Sequence, residues 1–224
     1  MSARRTLLSW SSGKDSAWSL HVLRSDPRFE VVGLLTTLNE SAERVSMHAV
    51  RERLLEDQAE AAGLPLQKVQ LPWPCSNEDY EARMNAALAE VREQGIEVVA
   101  FGDLFLEDVR NYREERMADT GLEVHFPLWG KKTPQLAREM VAAGLRARLT
   151  CVDPRQIDRA FCGRAFDADL LDALPPSADP CGENGEFHTF AWSGPMFAHD
   201  VRITGGDTIE RDGFVYTDLL PLAE

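Results

Sequence analysis

Cysteine is sparse in this chain: Cys75, Cys151, Cys162 and Cys181 never stand in a CxxC pair, which leaves neither a zinc site nor a disulfide frame to expect. Long apolar runs are missing as well. No stretch approaches the roughly 18 continuous apolar residues of a membrane span. The amino terminus, MSARRTLLSW, lacks the apolar region of a signal peptide, so the cytoplasm is the expected location. Positive charge is short: 24 Lys and Arg stand against 37 Asp and Glu, a formal charge of −13. Because every phosphate contact to a polyanion needs a cation, this balance argues against nucleic acid as a partner. Lysine is the scarcer base, with only Lys14, Lys68, Lys131 and Lys132, and this makes Lys14 conspicuous.

Lys14 stands in the stretch around which the chain is organised. The apolar run Thr6 to Trp10 stops at Ser11-Ser12-Gly13-Lys14-Asp15-Ser16, and an amphipathic segment with Ala17, Leu20 and Leu23 on one side follows. This order reads as strand, tight loop, helix. The first N–H groups of such a helix are unpaired and the helix dipole favours negative charge there, so the loop is a candidate phosphate cradle. It is not a Walker loop, which needs two glycines before Lys-Ser/Thr; only Gly13 is present.

The run resembles instead the PP-loop, SGGKDS, of the N-type ATP pyrophosphatases in the adenine nucleotide alpha hydrolase superfamily. Ser11, Gly13, Lys14, Asp15 and Ser16 match, and Ser12 replaces the first glycine. The resemblance implies ATP cleavage between the α- and β-phosphates. Ser11, Ser12, Gly13, Lys14, Asp15 and Ser16 would then bind nucleotide, and Lys14 would stabilise the departing pyrophosphate.

Glu30 to Thr37 is expected as a second strand, apolar on both faces as in a covered parallel sheet. Thr36 and Thr37 close it. In the superfamily that this chain resembles, the adenosine sits at this strand end. Met47 to Ala62 is expected as a helix ending at Gly63, and the resemblance places His48, at its start, near the nucleotide. Leu66 to Leu71 is a third strand, Ser76 caps a helix over 77–94, and Ile96 to Phe101 is a fourth strand. The fourth strand delivers Gly102-Asp103-Leu104-Phe105 to a second loop. This GDLF run resembles the Gly-Asp-Ile-Phe of diphthine-ammonia ligases. Magnesium is commonly held by one or two carboxylates plus phosphate oxygens, which Asp15 and Asp103 would supply. The helix 107–120 places Arg110, Arg113 and Arg116 on one side, expected mainly as a surface salt-bridged with Glu114 and Glu115, although one of them could reach a substrate carboxylate. Glu123 to Leu128 is a fifth strand ending in a Pro-Leu-Trp corner similar to that of the ligases.

The texture changes near Gly130. Helices are expected at 136–143, after Asp153-Pro154, and at 167–174, and a strand at 146–152. A proline-rich brake at 175–180 leads to Cys181-Gly-Glu-Asn-Gly-Glu-Phe-His-Thr-Phe190. Glu183 and Glu186, three apart on a glycine-rich loop, are candidate acid–base or ammonium-binding groups. The run resembles the CGE-Gly-GE-aromatic-x-Thr-Phe signature of diphthine-ammonia ligases, with Asn184 where glycine is usual and His188 where an acid is common. Short antiparallel strands are expected at 201–203, 208–210 and 214–217, with Asp212-Gly213 as a hairpin turn.

These residues lead to an α/β fold, a doubly wound parallel sheet of the adenine nucleotide alpha hydrolase type over 1–130, and a smaller α+β domain over 131–224. The implied activity is an ATP-dependent amide ligase with ATP and Mg²⁺. Lys14, Asp103, Glu183 and Glu186 are the expected catalytic residues, and Gly102 and Thr36 are expected to face the nucleotide. Expected partners are ammonia and a carboxylate-bearing substrate, with a homodimer left open. In the family resembled, the acceptor is diphthine on elongation factor 2; a small carboxylic acid is the alternative acceptor. A non-catalytic ATP-binding protein and a tRNA-thiolating enzyme are alternative readings.

Overall fold

In chain order the elements are β1 Arg4–Ser9, α1 Lys14–Arg24, β2 Phe29–Asn39, β3 Arg44–Val45, α2 Glu52–Ala62, β4 Leu66–Leu71, α3 Asn77–Glu93, β5 Val98–Ala100, α4 Glu107–Met117 and β6 Glu123–His125. The second half follows with α5 Thr133–Ala142, β7 Arg146–Val152, α6 Ala168–Ala173, β8 Phe187–Ser193, β9 Ile203–Arg211 and β10 Phe214–Pro221. The structure, a computed structural model, describes residues 2–39, 44–45 and 50–222; His48 and the expected start of its helix lie outside them.

The parallel strands run β4-β2-β1-β5-β6, with β3 added antiparallel at the far end of β2. Chain order along the sheet reverses between β1 and β5, and in open α/β sheets a ligand crevice opens at the carboxyl ends of the strands at that point. Neighbouring strand residues bury opposite ways. Leu8, Leu34, Val98 and Ala100 enter one hydrophobic cluster, whereas Leu7, Leu35, Val99 and Phe101 enter another. Alternation of this kind follows from the two-residue period of a strand, with both faces covered. Ser76 caps α3 as the sequence suggests, its hydroxyl accepting from Asp79 N at 3.0 Å. Gly63, in the left-handed region at φ 65°, closes α2.

The second half is an antiparallel sheet in the order β8-β7-β10-β9. Asp212 and Gly213, both at positive φ, turn β9 into β10, and both strands outrun their expected lengths. The α-helix expected after Asp153-Pro154 does not form. The Asp153 carboxylate accepts from Arg155 N and from the Arg155 guanidinium, and the chain makes one turn before a 3-10 helix at Arg159–Phe161. A side chain that bonds its own following backbone competes with helix propagation. The expected division near residue 130 falls between β6 and α5, and the core is continuous across it. Leu20, Leu54 and Leu8 share one buried cluster with Leu149, Phe187 and Phe190.

Candidate functional site

β1 ends at the switch point, where Trp10 N still donates to Leu35 O at 2.7 Å before the chain enters the serine-rich loop. Ser12 takes φ 71° at the position where the resembled motif has glycine. The left-handed region is costly for a residue with a Cβ, so the surroundings must hold it there. They do so from behind. Ser12 O accepts from Ala191 N at 3.0 Å and from Gln58 Nε2 at 2.9 Å, while Gln58 Oε1 accepts from Trp10 Nε1. Gln58 Nε2 also donates to Ala191 O, so one fully buried amide from α2 ties the loop to β8. Gly13 caps α1, and Lys14 N donates to Thr189 Oγ1 at 3.0 Å.

The second loop leaves β5 beside the first. A Cβ on Gly102 would stand 3.2 Å from the backbone of Asp15 and Ser16, so any side chain there would press the two loops apart by a few tenths of an ångström. The third loop comes from the other half of the chain. Leu104 N donates to Glu183 Oε1 at 2.7 Å, joining the GDLF run to the acidic motif. Gly182, at φ 71°, presses on Phe187, whose carbonyl would be 2.8 Å from an added Cβ.

Three stretches far apart in sequence thus enclose one cavity of ≈ 380 Å³, lined by Ser11, Gly13, Asp15, Asp103, Glu183 and His188 among others. A smaller cavity of ≈ 230 Å³ adjoins it, lined by Trp10, Thr36, Thr37, Tyr80 and Met84, and the two share Ser9, Ser11, Phe101 and Arg113. The Thr36 hydroxyl is buried there without a hydrogen-bond partner. A larger groove of ≈ 720 Å³ between α3 and α4 is lined by Arg92, Glu93, Glu115 and Arg116 and touches none of the motifs.

The sequence-expected acids separate sharply. Glu183 faces the cavity, and burial pushes its carboxyl up from 4.5 to about 7, with the Leu104 N–H opposing and the Asp15 charge adding to the rise. Glu186 does not fit the catalytic role expected of it. It is 1% exposed and spends its oxygens on Asp179 N, Asn184 N and Asn184 Nδ2, so it shapes the loop and stays out of the cavity. Lys14 lines the cavity from a sunken position. Its Nζ donates to Asp15 Oδ2 at 2.7 Å and to Cys181 O, and lies 5.5 Å from the ring centres of both Phe166 and Phe187. Burial works against this ammonium, but the Asp15 carboxylate beside it prevails and raises its pKa. His188, expected only as a departure from the family pattern, reaches the cavity; burial and the Lys14 charge hold it down at about 4, a neutral imidazole.

Among the described residues no three metal-binding side chains assemble into a cage. Asp15 Oδ1 and Asp103 Oδ2 are nevertheless buried acceptors without a hydrogen-bond partner, in the same cavity. A magnesium ion that keeps phosphate and water ligands needs only one or two carboxylates, so this pair suits it. Gln58 and Thr189 are site residues that the sequence does not single out, although Thr189 lies within the second motif; of the three arginines from which one could reach a substrate, Arg113 is the one that lines the cavity.

Residues 4–124 match the family described as the diphthamide synthase N-terminal domain, and residues 132–217 match the diphthamide synthase C-terminal domain. The diphthine–ammonia ligase of Schizosaccharomyces pombe is 28% identical over 121 residues, which is 52% of this chain and 20% of that protein. The match therefore spans about a fifth of the curated relative's length. With both halves matched, and with the loops that carry the resemblance facing one cavity, the chain belongs to the diphthamide synthase family.

Proposed function

We propose that the chain is an ATP-dependent amide ligase that activates a carboxylate by adenylation and transfers it to ammonia. The observation that carries this reading is the single cavity in which the serine-rich loop, Asp103 and Glu183 meet. The similarity to a diphthine–ammonia ligase supports it.

A substrate carboxylate oxygen attacks the α-phosphorus of ATP. The bond from that phosphorus to the oxygen bridging it to the β-phosphate breaks, and pyrophosphate departs toward the loop amides at the start of α1. Fixed donors at a helix start stabilise such a departing anion without reorganising. Lys14 contributes through the field of its buried charge. Magnesium, held by Asp15 and Asp103, would neutralise charge on the phosphates. Ammonia then attacks the acyl carbon, AMP leaves, and the excess proton passes to Glu183. A carboxylate with a pKa near 7 is poised both to accept that proton and to hold ammonium beforehand. Thr36, in the adjoining cavity, faces the nucleoside.

The Cys181 thiol argues against sulfur transfer, since burial raises its pKa and keeps it a neutral donor to Thr133 O. The test is product analysis with ATP, magnesium and ammonium, offering either diphthine-bearing elongation factor 2 or a panel of small carboxylic acids. Amide, AMP and pyrophosphate should appear in equal amounts. ADP with orthophosphate would overturn the proposal, and tight ATP binding without turnover on any acceptor would favour a non-catalytic role.

A further inference from the structure

Of the three arginines of α4, expected mainly as surface with one able to reach a substrate, Arg113 occupies the junction of the two cavities and lines both. Its guanidinium lies 4.9 Å from the centre of the Phe101 ring. Its Nε is buried without a hydrogen-bond partner, and the Asp103 Oδ2 that it faces at 3.6 Å is buried and unpartnered as well. At that separation the two form an ion pair but not a hydrogen bond. The exposed part of the side chain, 31% of it, lies beyond this sealed nitrogen and faces the cavities, where a ligand would meet the rest of the guanidinium.

We infer that Arg113 is the ligand of the nucleotide's α-phosphate. The inference rests on the adenylation reading and deepens it. In that reading the nucleoside occupies the cavity beside Thr36 and the terminal phosphates occupy the cavity beside Gly13. Covalent order then places the α-phosphate between the two, where Arg113 is the cation common to both linings. A guanidinium suits the position because its fork of donors binds phosphate oxygens in pairs, and this charge is best placed where negative charge builds during attack. Stacking on Phe101 and pairing with Asp103 hold the fork before the nucleotide arrives.

Binding of adenosine, AMP and ATP to the intact chain, measured calorimetrically with magnesium present, tests the assignment. Arg113→Met should weaken AMP and ATP by about 10- to 100-fold, the loss of a charge-assisted hydrogen bond, and leave adenosine unchanged. Arg113→Lys, which keeps charge but loses the fork, should recover part of that loss. Should Arg113→Met fail to fold, as judged by its thermal transition, the lysine variant alone decides by its ratio of AMP to adenosine affinity. Unchanged AMP affinity, or an equal loss for adenosine, would overturn the assignment while leaving adenylation intact. Failure of the parent protein to bind any of the three would overturn both.

Discussion

The two faces of the parallel sheet are buried by different means. On one, α1 and α2 are overlaid by the antiparallel half, and Leu8, Leu20, Leu54, Leu149 and Phe190 form one continuous core. On the other, α3 and α4 alone cover a smaller cluster around Leu7, Leu88, Val91 and Val99. The doubly covered face also carries the ties that hold the serine-rich loop: Gln58 from α2, Thr189 and Ala191 from β8. The singly covered face carries Arg113 and the wall of the smaller cavity. Precision is therefore concentrated on the side where two halves of the chain grip one loop, and the side that carries the smaller cavity is thinner.

Removal of residues 131–224 should break this comparison most severely. It would strip the cover from α1 and α2, and the fragment 1–130 should show no cooperative thermal transition; a sharp one would disprove the shared core. Leucine truncation on the two faces comes next. Leu20→Ala, at a site with 0% exposure inside the larger core, should cost about 4–5 kcal/mol, and Leu88→Ala, at 4% in the smaller one, about 2–3 kcal/mol, measured by denaturant unfolding. Equal losses would remove the distinction between the faces.

Glu183→Gln separates stability from chemistry. Because burial raises the folded carboxyl from 4.5 to about 7, the folded state binds more protons between those values, and the stability contributed by the protonated form is lost as pH rises through 7. The glutamine variant should lose that decline, and at pH 8 it should be more stable than the parent by roughly 1–3 kcal/mol. Its oxygen can still accept from Leu104 N. Amide formation should be abolished, and in the parent kcat/KM should rise with pH through about 7. A variant less stable at pH 8 would contradict the buried-charge account. The smallest effect belongs to Ser12→Gly, which relieves the positive φ but loosens the unfolded chain, for a net gain under about 1 kcal/mol in thermal unfolding.

Much of this was legible in the sequence because it depends on local chemistry. The apolar runs of β1, β2 and β4, the Ser76 cap and the Asp212-Gly213 turn follow from periodicity and from residues with few backbone options. The strand β8 was hidden behind the more conspicuous acidic loop before it, and the 3-10 turn after Asp153 was hidden because its own side chain outbids the helix. Glu183 and Glu186 illustrate the limit most clearly. Their identical chemistry and spacing of three suggested one role, yet positive φ at Gly182 and Gly185 turns one into the cavity and the other into its own loop.

By itself the sequence determined the alternation of strands and helices in the first half, the serine-rich and acidic loops, and the family, because short-range patterns and motif residues act over a few positions. Only the tertiary structure decided that those loops share a cavity, that Lys14 is sunk beneath it, and that Arg113 stands at its junction. Those outcomes depend on which distant surfaces bury each other, and no local pattern encodes that choice.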